Sequence, residues 1–427
     1  MMLSFLFVTV AVSFISVNGK QCRVQSGNEN LILSINKKLL RSLGNKNIAP
    51  NPSLYIGLRL SDVHNQKTEQ EYLIRLQEDM KEPTVSSALG SDSQRSTGLL
   101  ALHTLALRAS CETANSANMR KQLQQLKHRM HQEKEHISNT NTPQSNYYQY
   151  SLGVLALCVQ NVKVDPHVIR KLVNEVKKVS EIHSICIDTL SMGGLALQCL
   201  RHLDAFYDEH LNKDIASAAL KVKETLQKAQ DDNGIIGNKF STLLAVQVLL
   251  AMESEHSGCS KSLERLVTES KIGTFYNPMA LSMLLPVLKH KTYLDIGTMD
   301  CLNETDNILL SAKPAGDIQI TENVLVNLKV EDTLNHINPE VFKDTVNIPK
   351  GSSLLNVLNA LKENEKLTFE TENSLWGPYL TVVNKVKALA KDKTYWQLRT
   401  LDTVLLEGIA DYKVYHDDTI IIRKVRW

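Results

Sequence analysis

The sequence predicts a mainly α chain: an α/α toroid followed by a small, mostly β second domain. The first observation is a recurring small-residue pattern. Leu100-Ala101-Leu102 follows Gly98, Leu155-Ala156-Leu157 follows Gly153, and Leu195-Ala196-Leu197 follows Gly193-Gly194. Leu244-Ala245-Val246 and Met279-Ala280-Leu281 are looser copies. The stretches between them, such as 120–135 and 165–178, are rich in charge. Small-residue helices inside and charged helices outside give this alternation. The copies are many and similar, which fits a toroid better than a bundle; a generic α-solenoid is the alternative. The second observation is a change of period near residue 305. Lys313-Pro314-Ala315-Gly316 ends the helical pattern, and Ile318, Ile320, Val324, Val326, Leu328 and Val330 then alternate at strand spacing.

Taken in order, residues 3–17 form an apolar run followed by Gly19 and Lys20. The run is short for a membrane anchor and has the length of a signal peptide, so 1–19 is expected to be removed. Residues 20–305 are then the helical domain. Asn30 to Leu43 carries helical spacing, 51–60 is a short element entered by Asn-Pro, and 81–97 is polar and turn-rich. Residues 306–316 are expected to link to a β domain at 317–427. One helix is expected there at Ser353–Glu363, and alternation resumes from Ala410 to the end.

A net charge of +2 over 427 residues leaves no field that favours nucleic acid or an acidic membrane. Seven cysteines after a signal peptide imply disulfides; their wide spacing, with no CxxC, argues against a zinc cluster. The odd count leaves one unpaired in a monomer. Asn303-Glu304-Thr305 is an N-glycosylation acceptor. His131 and His136 sit at i and i+5, the wrong spacing for two zinc ligands on one helix face, and read as solvated. No P-loop, G-x-S-x-G or carboxylate pair of glycosidase type is present, so nothing favours an enzyme.

The polar groups that stand out precede the repeated helices. They are Ser145, Asn146, Tyr147, Tyr148 and Gln149, then Asp188, Asn238 and Ser241, with Gln247 and Asn277. In a toroid such positions gather around one mouth, where amides and hydroxyls recognise a ligand without charge. In the second domain Leu375, Trp376 and Gly377 read as an aromatic turn, and Tyr395, Trp396 and Gln397 add two rings and an amide. Two facing surfaces of this kind suit a large, flat, amide-bearing ligand held between domains.

Together these segments resemble the vertebrate cobalamin-binding proteins, the family of transcobalamin, intrinsic factor and haptocorrin. The resemblance runs through NPSLYIGLRLS at 51–61, LALHTLALRASCE at 100–112, NYYQYSLGVLALC at 146–158 and IDTLSMGGLALQCL at 187–200. It continues in GNKFSTLLAVQ at 237–247, LLPVLKHKTYLDI at 284–296, SLWGPYLTVVN at 374–384, TYWQL at 394–398 and LLEGIADY at 405–412. NYYQY, HKTY and GIADY lie closest to transcobalamin. The resemblance implies an α6/α6 barrel and a smaller β domain with cobalamin, a cobalt corrinoid, between them. It implies a secreted, monomeric carrier with a cell-surface uptake receptor, and ligand contacts at Ser145 to Gln149, Asp188, Asn238, Ser241 and Gln247 in the barrel and at Leu375, Trp376, Gly377, Tyr395, Trp396 and Gln397 in the second domain. It also implies disulfides Cys22–Cys259, Cys111–Cys301 and Cys158–Cys199, which leaves Cys186 odd. Three positions depart from transcobalamin: Leu99 replaces a glutamine, Met283 replaces a polar residue, and Ile185 stands where the cobalt-ligating histidine is expected. His183, two residues earlier, is the candidate cobalt ligand. A secreted α/α-toroid enzyme of glycosidase or lyase type and a protein-binding toroid remain as alternatives.

Overall fold

The computed structural model describes residues 22–45, 49–81, 96–180, 186–252, 257–302, 304–308, 323–374, 376–389 and 392–426. Six helices form an inner ring: α2 (Pro52–Arg59), α4 (Thr97–Ala109), α6 (Tyr147–Val159), α8 (Ile187–Arg201), α10 (Lys239–Ala251) and α12 (Pro278–Leu288). Each packs on the next, and α12 packs back on α2, so the ring closes. Closure selects the toroid over the open solenoid. Outside lie α1 (Glu29–Leu43), α3 (Gln66–Lys81), α5 (Ala117–Thr140), α7 (Pro166–Val179), α9 (Glu209–Lys228) and α11 (Ser257–Lys271).

Sequence decides which layer a helix joins. In α6 every residue from Tyr150 to Val159 is buried, and in α10 every residue from Ser241 to Leu250 is buried. A helix apolar on all sides must be covered on all sides. In α7 only Val168, Ile169, Leu172, Val173 and Val176 are buried, a single stripe that faces the inner ring. Small residues set the spacing between layers. A Cβ on Gly194 would press on Val222 of α9 and Val248 of α10, and one on Gly57 would collide with the backbone of Ser282 in α12.

Three disulfides tie the barrel: Cys22–Cys259, Cys111–Cys301 and Cys158–Cys199. The third cross-links neighbouring inner helices, while the first two close loops of 237 and 190 residues. Loops this long restrict the unfolded chain by ~3–5 kcal/mol each on the chain-entropy account. After Cys301 the chain is strapped to the turn between α2 and α3. Arg59, only 5% exposed, binds Glu69 at 2.8 Å and Glu304 at 2.6 Å. The His64 backbone N–H donates to Asn307 Oδ1 at 2.8 Å, and Asn65 Nδ2 donates to the Ile308 carbonyl at 3.0 Å. The barrel core therefore reaches Ile308.

A second, separate core spans Val324 to Ile422. It lies between α13 (Leu354–Glu363) and two sheets built from β1 (Asn323–Asp332), β2 (Glu340–Pro349), β3 (Phe369–Ser374), β4 (Gly377–Val383), β5 (Val386–Lys387), β6 (Thr394–Arg399) and β7 (Asp418–Arg426). The larger sheet runs β2-β1-β7-β6, with β1 and β7 parallel; the smaller runs β3-β4-β5. β1 alternates buried and accessible residues as its sequence predicts. In the tail only Asp418 to Arg426 is strand; Tyr412 and Val414 lie in the approach to it.

Gly57→Ala tests the ring closure. The added methyl meets backbone that cannot swing aside, so it should lower stability by ~1–3 kcal/mol in guanidinium unfolding. Gly44→Ala, at a helix end with only ordinary contacts, should change it by less than ~0.5 kcal/mol. Equal effects of the two would mean that α2 and α12 do not need the close approach.

Candidate functional site

The inner helices deliver their N-termini to one mouth, and the residues that start them have two tasks. Asn146 Oδ1 accepts from the Gln149 N–H, Asn238 Oδ1 from the Phe240 and Ser241 N–H groups, and Asn277 Oδ1 from the Ala280 N–H. These are N-caps, which satisfy donors that the helix itself leaves open. Capping uses the oxygen and leaves the amide nitrogen with no part in the cap. α8 starts without a side-chain cap at Cys186, an exposed thiol that accepts from Thr189 Oγ1 at 3.4 Å.

Between this mouth and the β domain lies a cavity of about 270 Å³. Its barrel wall carries Asp188, Asn238, Phe240, Ser241, Leu243, Leu244, Asn277, Met279, Ala280 and Met283. Its β wall carries Trp376, Leu406, Glu407, Gly408 and Asp411. Few contacts join the walls. The rings of Tyr148 and Trp376 meet at 5.6 Å between centroids. Tyr276 OH accepts from the Lys413 backbone N–H at 3.3 Å and is hydrogen-bonded to the Glu407 carboxylate.

The carboxylates here hold protons more tightly than usual. Burial pushes Asp188 up, against the hydrogen bond from Ser241 that favours its charged form. Burial also raises Glu407, partly offset by Tyr276. Asp411 is pushed up to about 6, first by burial and then by the Glu407 charge, with Lys413 opposing. The Tyr148 hydroxyl is raised well above its ordinary range by burial, with smaller contributions from Tyr293, Asp188 and Cys186.

Some residues singled out in the sequence gather here, and others are placed elsewhere. Asp188, Asn238, Ser241, Asn277 and Trp376 line the cavity, and Tyr148 touches Trp376. Gly377, at a φ of +101° that suits glycine, forms the turn into β4. Ser145 and Gln149 are held from behind. The Ser145 N–H donates to Glu133 Oε2 at 3.1 Å, Thr97 Oγ1 donates to the other oxygen of Glu133, and the Gly98 N–H donates to Gln149 Oε1 at 2.9 Å. Glu133, 1% exposed on α5, thus pins the starts of α4 and α6 together. Tyr147 turns away from the cavity toward Glu175 of α7. Gln247 is fully buried below the mouth: its Oε1 accepts from the Tyr293 N–H at 3.1 Å, and its Nε2 has no partner among the described residues.

One expectation needs correction. Tyr395, Trp396 and Gln397 do not share a surface, because neighbours on a strand face opposite ways. Tyr395 and Gln397 lie on the open face, where Gln397 Nε2 donates to Tyr395 OH at 3.3 Å. Trp396 packs into the β-domain core, with its Nε1 buried and unpartnered. Leu375, His183, Ile185 and Asn303 lie outside the described residues, as does the expected signal segment. Sequence reasoning gave no role to Glu133, Tyr276, Glu407 or Asp411. Glu407 and Asp411 fall inside LLEGIADY, yet nothing in the spacing marks them as a wall.

Comparisons with known proteins agree over nearly the whole chain. A family profile described as eukaryotic cobalamin-binding protein matches residues 2–320, and a domain of unknown function matches 351–424. Transcobalamin-2 of Mus musculus is 37% identical over 391 residues, which is 88% of each chain. Cobalamin binding intrinsic factor of Homo sapiens is 29% identical, over 98% of this chain and 97% of its own. The crystal structure of haptocorrin in complex with Cbi superposes with a TM-score of 0.73 at 26% identity, covering 96% of this chain and all of that one.

Two variants probe the geometry. Glu133→Gln keeps one acceptor and turns an NH2 on the other donor, so it should cost ~1–3 kcal/mol in denaturant unfolding; no loss would mean that the two helix starts are held elsewhere. Asp411 titrates with the opposite sign from a salt-bridged aspartate. Its folded pKa lies above its unfolded one, so the folded chain binds more protons between about 4 and 6, and this group costs stability as pH rises through that window. Asp411→Asn should therefore gain stability relative to the wild type at pH ~7.5 and lose that advantage near pH ~4. Parallel stability curves would show that Asp411 is not held in a desolvated place.

Proposed function

The chain belongs to the eukaryotic cobalamin-binding protein family, and from that premise we propose that it is a carrier which encloses cobalamin between its barrel and its β domain. The carrying observation is the interlobe cavity lined from both sides. Phe240, Leu243, Leu244, Met279, Met283 and Trp376 offer apolar area for a macrocycle. The amide nitrogens of Asn238 and Asn277, not used in capping, and the oxygens of Asp188, Ser241, Glu407 and Asp411 offer partners for peripheral amides. A carrier of a scarce cofactor needs slow release, and enclosure between two lobes supplies it. The chemistry expected of these residues is recognition, not catalysis.

A pocket for a drug-sized ligand spans ~300–1,000 Å³, and a corrinoid is larger still. The β domain must therefore move off the mouth to admit it. The contacts to be broken are few: the Tyr148–Trp376 ring pair and the bonds of Tyr276.

Further parts of this reading rest on the sequence. Residues 1–19 act as the secretion signal, 20–305 and 317–427 are the two domains with 306–316 as the linker, and Asn303 carries a glycan. The product is a secreted monomer taken up by a cell-surface receptor. His183 is the residue we assign to the cobalt: if it ligates, aquocobalamin bound to the wild type and to His183→Ala will differ in absorption, and identical water-bound spectra would remove the assignment.

The decisive measurement is the absorption spectrum and release rate of cobalamin on the purified full-length protein. Retention of the red chromophore through gel filtration is expected; its complete loss would exclude a carrier. Trp376→Ala should speed release about 30-fold, since losing a central aromatic costs ~2 kcal/mol or more. Trp396→Ala should act mainly on the stability of the β domain, because its ring fills that core. The reverse pattern would place the ligand on the other face of β6.

A further inference from the structure

The two walls of the cavity differ in what they offer. The barrel wall carries the starts of α8, α10 and α12, where the positive ends of the helix dipoles favour acceptors, with the Asp188 carboxylate as the one acidic group on that side among the described residues. Asn277 is 93% buried there, 7% of it remaining accessible, and it lines the cavity. Its Oδ1 is used on the Ala280 N–H, and its Nδ2 has no partner among the described residues. The β wall presents the carboxylates of Glu407 and Asp411, which in their ionised form only accept. Among the described residues no lysine or arginine lines the cavity, and Lys413 acts on Asp411 from nearby. Asp188 lines the same cavity from α8, Tyr276 is hydrogen-bonded to Glu407 from the approach to α12, and Tyr412 lies near Glu407 within the β domain.

A primary carboxamide satisfies both walls, since it donates two N–H bonds and accepts through its carbonyl. A carboxylate of the same shape satisfies only the barrel wall. It brings a third negative charge against Glu407 and Asp411 and has no hydrogen to give them. We propose that Glu407 and Asp411 are specificity-determining residues which read the peripheral carboxamides of a corrinoid and exclude corrinoids carrying a free carboxylate at that position. This rests on the carrier reading above and adds to it the chemical group being selected.

The dependence on pH follows from the same geometry. Asp411, held up to about 6 by burial and by Glu407, is neutral near pH ~5, while a ligand propionate is still mostly ionised. A protonated Asp411 can then donate to the intruding carboxylate. Discrimination should be strongest near neutral pH and shrink in mild acid.

The test uses full-length protein and measures release rates for cyanocobalamin and for each monocarboxylic derivative in which one propionamide has been hydrolysed. At pH ~7.5 at least one derivative should leave about tenfold faster or more than cyanocobalamin. That ratio should fall at least about threefold at pH ~5 in the wild-type protein. It should also fall at neutral pH in Asp411→Asn and in Glu407→Gln, where the new amide can donate to the carboxylate. The wild-type pH series stands even if a variant does not fold. The proposal is overturned if every derivative matches cyanocobalamin at neutral pH, or if the ratio ignores both pH and the substitutions. Failure to bind cyanocobalamin at all would instead overturn the carrier reading on which it rests.

Discussion

The approach of α12 to α2 is the contact on which the rest depends. Five inner helices alone would leave two edges and a groove. The sixth, seated against Gly57 at its Ser282 backbone, turns the groove into a ring. Once the ring closes, the starts of α8, α10 and α12 line one cavity through Asp188, Asn238 and Asn277, and the start of α6 reaches it through Tyr148. The mouth is thus a consequence of closure, and its aligned helix ends make it a donor-rich surface.

Among the described residues, few direct bonds join the β domain to that surface at the cavity. One ring pair and the tyrosine hydroxyl of Tyr276 carry the contact among the described residues of the cavity. Such a weak latch suits a protein that has to part its lobes around a large ligand and then gain its closure energy from that ligand. The carboxylates on the β side make sense in the same terms. Facing a wall of helix N-termini, they complete a slot that is polar in both senses, and desolvation there sharpens whatever recognition takes place.

Rigidity is concentrated where the mouth needs it. Glu133 joins the starts of α4 and α6 from behind, the Cys158–Cys199 bridge joins α6 to α8 lower down, and Gln247 holds the Tyr293 segment against α10. At the far end of the barrel, the strap from Cys301 to Ile308 is fixed by the buried Arg59 with Glu69 and Glu304. Removing one partner of that cluster would leave an uncompensated charge, which is why it anchors the chain before the linker so firmly.

The sequence by itself determined the layers of the barrel and the change to strand, because burial on all sides or on one stripe is written directly in residue order. It also marked part of the cavity wall: Asp188, Asn238, Ser241 and Asn277, polar residues at the starts of apolar helices, line it. Three features were decided only by tertiary structure. Trp396 faces inward because the strand pairing of β6 with β7, not its aromatic neighbours, sets which side meets the core. Glu133 joins the starts of α4 and α6 because packing of α5 behind them brings its carboxylate to Thr97 and Ser145, which no local pattern shows. Glu407 and Asp411 became a wall opposite Asp188 because two separately folded lobes face each other, and residues more than 200 positions apart in the chain carry no local signal of that meeting.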